Sequence, residues 1–248
     1  MTGHVTTSAT TPAGELPAWV ALVRASNPGP MTLDGTNTWI LRAPGHDACV
    51  VVDPGPDDDE HLAAIRSYGP IDGVLVTHGH PDHVEAVPGL GLPVLAVDGE
   101  ATLAGLRVER LATPGHTGDS VCFVVEGEAV LTGDTILGRG TTVVAHPDGN
   151  LGEYLASLRA LSAYTGKVAL PGHGPALADC GAAASFYLAH REARIDQVRA
   201  AVADGARTAR EVVETVYADV DRDLWWAADL TVTAALEYLA GVPPLDRP

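Results

Sequence analysis

Short apolar runs separated by turns alternate along the first two-thirds of the chain. The runs lie at residues 19–24, 37–42, 48–53, 71–77, 93–97, 120–126, 129–132 and 167–170. Their β-branched residues and flanking turn residues predict strands. Two helical patterns lie among them, at 57–66 and at about 151–164, and acidic residues fill the first turn of the earlier one. This arrangement predicts sheets covered by outer helices.

After residue 179 the pattern changes to helices alone. Ile195, Val198 and Val202 fall on one face of a helix, and Thr208 with Glu211 forms a capping box before a second one. A third apolar helix stops at Gly241. We therefore predict a disordered N-terminus at 1–16, a main domain at 17–180 and a compact helical domain at 181–248.

Composition limits the kind of protein this is. A chain of 248 residues that is 46% hydrophobic can bury one large core, with or without a small appendage. No apolar run approaches the ~20 residues that span a bilayer, and the opening does not resemble a signal peptide. We therefore expect a cytoplasmic protein with no membrane partner. Cys49, Cys122 and Cys180 match no zinc or redox spacing and are interpreted as buried, reduced thiols.

Charge argues against a long nucleic acid as the partner. The formal net charge is −17, from 32 acidic and 15 basic residues. Between residues 190 and 248, seven arginines face eleven acidic residues, so the tail has no basic stripe. A local arginine cluster remains compatible with this balance.

The segment 77–83 reads T-H-G-H-P-D-H and is rich in metal-ligand side chains. His78 and His80 alternate, so their rings point the same way on an extended backbone. Asp82 and His83 follow a proline that turns the chain. Such a loop offers two imidazoles to one cation and a carboxylate with an imidazole to a second. Zinc accepts ligands of both kinds.

Three further turns supply the additional ligands that two cations would need. His116, Asp134 and His173 each end a strand-like run and each adjoin glycine, which lets the backbone turn sharply beside an ion. Single histidines are usually ordinary surface or core residues, and we interpret His4, His61, His146 and His190 in that way. Four ligand-bearing turns together predict a dinuclear site of five imidazoles and two carboxylates.

These motifs, in this order, resemble those of the metallo-β-lactamase-fold hydrolases. The resemblance implies an α+β fold, a four-layer αββα sandwich with a dinuclear metal site at one edge. It also implies two sets of three ligands, one of His78, His80 and His116 and the other of Asp82, His83 and His173. Asp134 would bridge the two metals. Asp53 would brace the metal-binding loop from behind, as outer partners of metal ligands do.

Segments 27–41 and 133–142 and the tail from about 190 resemble a narrower group, the lactamase-beta-2-like branch. That branch carries a C-terminal winged-helix-like domain, and the similarity covers roughly residues 19–242. It includes a single-stranded RNA endonuclease, and related proteins act on thioesters. The residues Val84, Glu85 and Ala86 replace the small residues that commonly follow the histidine motif, which we expect to change the helix start and not the ligands.

The function expected from this resemblance is hydrolysis of a small ester, thioester or related acyl compound. Two Zn²⁺ ions, or other divalent metals, would share a bridging hydroxide, and Asp82 or Asp134 would orient it. Asn37 and Arg139 are candidate substrate-binding residues, although Arg139 is equally compatible with a solvated loop position. The alternatives are a single-stranded RNA endoribonuclease and, disfavoured by the complete ligand set, a non-catalytic metal-binding or assembly protein. The helical tail would form a lid or the contact of a homodimer.

Overall fold

The computed structural model describes residues 15–145 and 147–241. Within these ranges, nine strands form two mixed sheets. The strands of the first sheet, in their spatial order, are β1 (Val20–Arg24), β2 (Asn37–Leu41), β3 (Cys49–Val52) and β4 (Ile71–Leu75). The first two pairings are antiparallel and the last, between β3 and β4, is parallel.

The second sheet also keeps the chain order of its strands. They are β5 (Glu100–Leu103), β6 (Leu106–Ala112), β7 (Val121–Val125), β8 (Ala129–Gly133) and β9 (Val168–Pro171). Three antiparallel pairings lead to a parallel one between β8 and β9. Each sheet therefore ends in one parallel pair, and the carboxyl ends of paired parallel strands lie at the same edge.

Seven α-helices connect and follow the strands within the described residues. They are α1 (Asp59–Arg66), α2 (Pro81–Val84), α3 (Ala86–Leu90), α4 (Leu151–Leu161), α5 (Cys180–Ala203), α6 (Ala209–Val216) and α7 (Trp225–Gly241). Asp58, Asn150 and Asp179 cap α1, α4 and α5 by accepting backbone N–H groups. The predicted capping box of Thr208 and Glu211 is present at α6.

Three apolar clusters define four layers. Side chains such as Trp39 and Phe123 fill the space between the two sheets. On the outer face of the first sheet, Ile40 and Val51 pack with Ile65 of α1. The outer face of the second sheet packs against α4 and α5, in a cluster that contains Cys122, Leu155 and Tyr187. The layers run helix, sheet, sheet, helix, which confirms the predicted αββα sandwich.

The C-terminal helices share their core with the sandwich. One continuous cluster runs from Val130 of β8 through Leu158 of α4 to Val213 of α6 and Val232 of α7. All elements described from residue 180 to residue 241 are helices. The boundary between residues 180 and 181 stays a prediction. Residues 1–14 of the N-terminus predicted to be disordered lie outside the described residues, whereas Leu16 packs against the cluster between the sheets.

One predicted strand is wrong, and two strands of the structure were not predicted. Segment 93–97 forms no strand of its own; Val94 makes a single parallel bridge to Val74, and Pro93 has no N–H to donate to a ladder. Strands β5 and β6 were not predicted, because the charged residues at their solvent-facing positions obscure the apolar alternation. Ala104 and Gly105, both at positive φ, form the tight turn between them.

Two smaller points concern the cysteines and the lengths of the apolar helices. Cys49, Cys122 and Cys180 are free and buried, as predicted. No α-helix in the described part of the chain is both long enough and apolar enough to cross a bilayer.

Candidate metal centre

The ends of the parallel strand pairs bring the ligand-bearing loops together. Pairing of β3 with β4 sets Asp53 beside Thr77, whose backbone N–H and hydroxyl both donate to the Asp53 carboxylate, at 2.8 and 2.6 Å. Pairing of β8 with β9 does the same for the second sheet, where the Gly172 N–H donates to the Gly133 carbonyl at 2.8 Å. A hydrogen bond of 2.8 Å from the Val121 N–H to the Thr77 carbonyl joins the two sheets at this edge.

The first group of ligand atoms consists of three imidazoles. His78 Nε2 lies 2.9 Å from His80 Nδ1, and His116 Nε2 lies 3.1 Å from the same atom. His78 and His80 come from the loop after β4, whereas His116 comes from the loop between β6 and β7. The ligand atoms of this group all lie within 4.8 Å of one another.

The second group combines a carboxylate with two imidazoles. His173 Nε2 lies 3.1 Å from Asp82 Oδ2 and 3.3 Å from His83 Nε2. His83 Nε2 lies 3.6 Å from Asp82 Oδ2. Asp82 and His83 belong to α2, and His173 follows β9 on the other sheet. This group therefore spans both sheets.

Asp134, at the end of β8, lies between the two groups. Its Oδ1 is 3.5 Å from His83 Nε2, and its Oδ2 is 3.5 Å from His173 Nε2 and 3.8 Å from His116 Nε2. Asp134 Oδ1 is buried and has no hydrogen-bond partner among the described residues. A buried carboxylate oxygen without a partner is costly unless it binds a cation. The residues present thus fit the predicted pair of divalent ions.

Outer partners fix the orientation of the histidine rings. The Nδ1 atoms of three of them face an acceptor: His83 lies 2.9 Å from Asp53 Oδ2, His116 lies 2.8 Å from the Val143 carbonyl, and His173 lies 3.3 Å from the Gly35 carbonyl. A proton on Nδ1 in each ring leaves the Nε2 lone pair for a metal. Asp53 holds the left-handed conformation at φ 51°, which is rare outside glycine and typical of a functional constraint.

Burial and the two carboxylates control protonation at this edge. Burial lowers the pKa of His78 to about 2 and also lowers the pKa of His116. Burial lowers the pKa of His173 as well, but its hydrogen bonds to Asp134 and Asp82 outweigh this and raise the pKa to about 10. For Asp134, burial opposes ionisation, yet His83 and His173 hold the pKa well below its usual range. Cations that bind here displace protons, so metal affinity falls as the pH falls.

The two candidate substrate residues occupy different positions. Asn37 is fully buried, and its Nδ2 donates to the carbonyls of Pro171 and Gly174 at 3.0 and 2.8 Å. It therefore braces the loop that carries His173, and a contact with substrate stays a prediction. Arg139 is exposed, forms a two-pronged ion pair with Asp34 and lines a cavity of about 340 Å³.

That cavity opens beside His116 and Asp134 and extends to the C-terminal helices. Its lining also includes His190, Arg191 and Arg194 of α5, none of which the sequence marked as a site residue. Nothing in the spacing of these residues separates them from an ordinary polar helix face. His61, by contrast, is a buried histidine satisfied by the Thr38 hydroxyl at 3.0 Å, as predicted, whereas His4 and His146 lie outside the described residues.

A two-sheet sandwich with this cluster of histidines and aspartates at one edge is the architecture of a metal-dependent hydrolase. The model of the metallo-beta-lactamase superfamily matches residues 31–92 and 85–173, and that of the beta-lactamase associated winged helix domain matches 208–240. The chain therefore belongs to the metallo-beta-lactamase superfamily and carries such a winged helix domain at 208–240.

Individual relatives agree with this assignment. The chain is 32% identical to an atrochrysone carboxyl ACP thioesterase of Aspergillus fumigatus, over 83% of this chain and 75% of that one. It is 29% identical to the beta-lactamase-like protein 2 homolog of Caenorhabditis elegans, over 81% and 77%. A beta-lactamase domain protein from Burkholderia ambifaria has the same fold, with a TM-score of 0.76 at 22% identity over 94% and 92% of the two chains. The expected lactamase-beta-2-like membership is confirmed.

Proposed function

We propose that this protein is a zinc-dependent hydrolase with two metal ions, and that it cleaves a small ester, thioester or related acyl substrate. The observation that carries the proposal is the convergence of two ligand groups on Asp134, whose buried Oδ1 has no other partner among the described residues. An acyl substrate is supported by the similarity to a protein named as an ACP thioesterase. Other divalent metals remain compatible with the same ligands.

His78, His80 and His116 would hold one ion and Asp82, His83 and His173 the other, with Asp134 between them. When bound, such ions supply a water of lowered pKa and polarise the substrate carbonyl. The Asp82 side chain is 30% exposed and that of Asp134 is 11% exposed. Asp82 is therefore the carboxylate that would more readily accept a hydrogen bond from a water molecule in the cleft and orient it.

The test begins with the metal content of the purified protein. The zinc-loaded protein is then assayed on acyl thioesters, phosphodiesters and single-stranded RNA. We expect thioester turnover, with kcat/KM lower by at least roughly hundredfold in Asp82→Ala and in His116→Ala. His46→Ala, which alters an exposed histidine, is the matched control and should keep full activity. Unchanged turnover in both site variants would remove these residues from the reaction.

A single-stranded RNA endoribonuclease is the second candidate. The winged helix domain supports it, and the net charge of −17 opposes it. Nuclease function requires RNA binding that weakens steeply with added salt, because phosphate contacts release counterions. Turnover of a thioester without such binding would favour the acyl hydrolase.

The remaining predictions concern partners and location. We expect a small-molecule substrate and no membrane partner, in the cytoplasm. A homodimer through the C-terminal helices is a further prediction, and light scattering of the purified protein tests it. The non-catalytic alternative predicts metal binding with no turnover of any of the three substrate classes.

A further inference from the structure

The cavity beside the metal centre has two unlike walls. One wall is formed by the metal-binding edge, through His116 and Asp134, and the other by α5 and the C-terminal helices. At about 340 Å³ it lies within the size range of small-molecule sites. Because it borders the metal ligands His116 and Asp134, a substrate whose reacting carbonyl lies at the metals can extend into it.

The charge of this cavity is opposite to that of the chain. Three arginines line it, Arg139, Arg191 and Arg194, whereas Asp134 is the single carboxylate among the described lining residues. Asp34 pairs with Arg139 and offsets its charge. Within the described part of the chain, neither Arg191 nor Arg194 has a carboxylate within ion-pair distance: Arg191 donates to the Thr142 carbonyl, and Arg194 donates to the Val216 carbonyl and stacks on Tyr217.

Unused hydrogen-bonding atoms mark the same wall. His190 Nδ1 and Arg191 Nε are buried, and neither atom has a hydrogen-bond partner among the described residues. The whole Arg191 residue is only 4% exposed, so water cannot readily satisfy its Nε. His190 and Arg194 are four positions apart on α5, so they face the same side of the helix. Burial and the two neighbouring arginines lower the pKa of His190 to about 4, so near neutral pH its ring is uncharged and one of its two nitrogens carries a proton.

We infer that His190 and Arg194, together with Arg191, form a subsite for an anionic group on the acyl substrate, either a carboxylate or a phosphate. The inference rests on the proposed acyl hydrolysis and adds to it the class of substrate, one that is negatively charged at the end remote from the reacting carbonyl. Leu137, Val220 and Leu224 line the same cavity and suit an apolar chain.

The three residues differ in how they can be tested. Arg191 also holds the loop around the metal centre, because Thr142, whose carbonyl it binds, donates its hydroxyl to the Asp134 carbonyl. Substitution of Arg191 would therefore disturb both regions. Within the described residues, Arg194 and His190 form no hydrogen bond or ion pair with a metal ligand, so they are the residues to vary. Arg199 lies on the same helix, pairs with Asp196 and lies outside the cavity, so Arg199→Gln is the matched control.

The first experiment measures binding and needs no turnover. Hexanoate, adipate and 6-phosphonohexanoate are titrated calorimetrically into the zinc-loaded protein. All three present one carboxylate to the metals, and the last two add an anionic group at the far end. We expect one or both of these to bind at least about tenfold more tightly than hexanoate, as one charge-assisted contact predicts, and the tighter of the two identifies the anion.

The preference should fall severalfold in Arg194→Gln and in His190→Gln, persist in Arg199→Gln and return in part in Arg194→Lys, which restores the charge. Equal binding of all three probes by the wild-type protein would overturn the subsite, and that comparison depends on no variant. An equal loss in Arg199→Gln would also overturn it, because the preference would then reflect general charge.

The second experiment compares turnover of the hexanoyl and adipoyl thioesters of N-acetylcysteamine. A higher kcat/KM for the adipoyl compound, reduced selectively by Arg194→Gln, would support the subsite in catalysis. If neither thioester is cleaved but the binding preference holds, the proposed hydrolysis fails and the subsite stands. If both are cleaved equally and the probes bind equally, the hydrolysis stands and the subsite fails.

Discussion

The two walls of the cavity satisfy their polar groups in different ways. At the metal-binding edge, the Nδ1 atoms of His83, His116 and His173 all face an acceptor, and the Nε2 atoms converge. On the α5 wall, His190 Nδ1 and Arg191 Nε are buried without a partner in the described structure. Hydrogen bonds within the protein orient the ligands of the first wall toward ions. The second wall carries nitrogen atoms that no group of the described protein binds, which suits a ligand from outside the protein.

The largest effect should come from crowding the metal-binding edge. A Cβ added at Gly172 would lie 2.5 Å from Asp134 Oδ1 and 2.6 Å from His83 Cε1. We therefore expect Gly172→Ala to displace both ligands and to weaken zinc binding by at least about hundredfold. Competition with a zinc-binding dye measures the affinity.

Gly118→Ala is the control for this crowding. Gly118 lies in the same loop as His116, and a Cβ there would meet nothing within 4 Å. Its zinc affinity should equal that of the wild type. An equally tight zinc site in Gly172→Ala would mean that the ligands do not occupy the arrangement described above.

A smaller loss of zinc affinity should follow when Asp53, which accepts hydrogen bonds from His83 and Thr77, is substituted. Asp53→Asn keeps the shape and tolerates the positive φ of this position, but removes the charge that accepts hydrogen bonds from His83 and Thr77. We expect zinc affinity to fall by about 10- to 100-fold, with the larger share of the loss at the ion held by His83. Stepwise removal of metal with a chelator resolves the two ions, and simultaneous loss of both would contradict this assignment.

Asn37→Ala tests the brace of the His173 loop at the level of stability. Asn37 is the hydrogen-bond donor to the buried Gly174 carbonyl, so its loss should lower the free energy of unfolding by about 1–3 kcal/mol. Urea denaturation measures the change. If Asn37 acts on the substrate instead, the unfolding midpoint would stay constant while KM rises.

The smallest effect concerns the α5 wall and depends on pH. The folded pKa of His190, about 4, lies below its ordinary value of 6.5. Between these two pH values the unfolded chain takes up a proton at His190 that the folded chain refuses, so stability falls as the pH falls through this window. In His190→Gln the loss of stability between pH 7 and pH 4.5 should be smaller than in the wild type. The exposed His46→Gln serves as the control, and parallel curves for wild type and His190→Gln would contradict the burial of His190.

Much of the metal centre could be predicted because its signals are local. Four ligand residues lie within the six positions from His78 to His83, and His116, Asp134 and His173 each adjoin a glycine at a strand end. The cavity residues on α5 could not be predicted in this way. His190 and Arg194 line a cavity together with residues such as His116 and Asp134, which lie about fifty or more positions earlier in the chain. The contact of Asn37 with the His173 loop could not be predicted for the same reason, since its partners flank His173.

Residue types and their periodicity predicted sheets covered by helices, the candidate ligand residues and the helical tail, and the resemblance to a known family added the four-layer sandwich. Apolar spacing reports which face of an element is buried, and ligand residues after a strand report where a site can form. Packing alone established which ends meet: the parallel pairs β3–β4 and β8–β9 bring Asp53, Asp134 and His173 to one edge, and the shared core of α4, α5 and α7 sets the arginines opposite it. Contacts between residues distant in the chain follow from the summed burial of many side chains, which no short stretch of sequence contains.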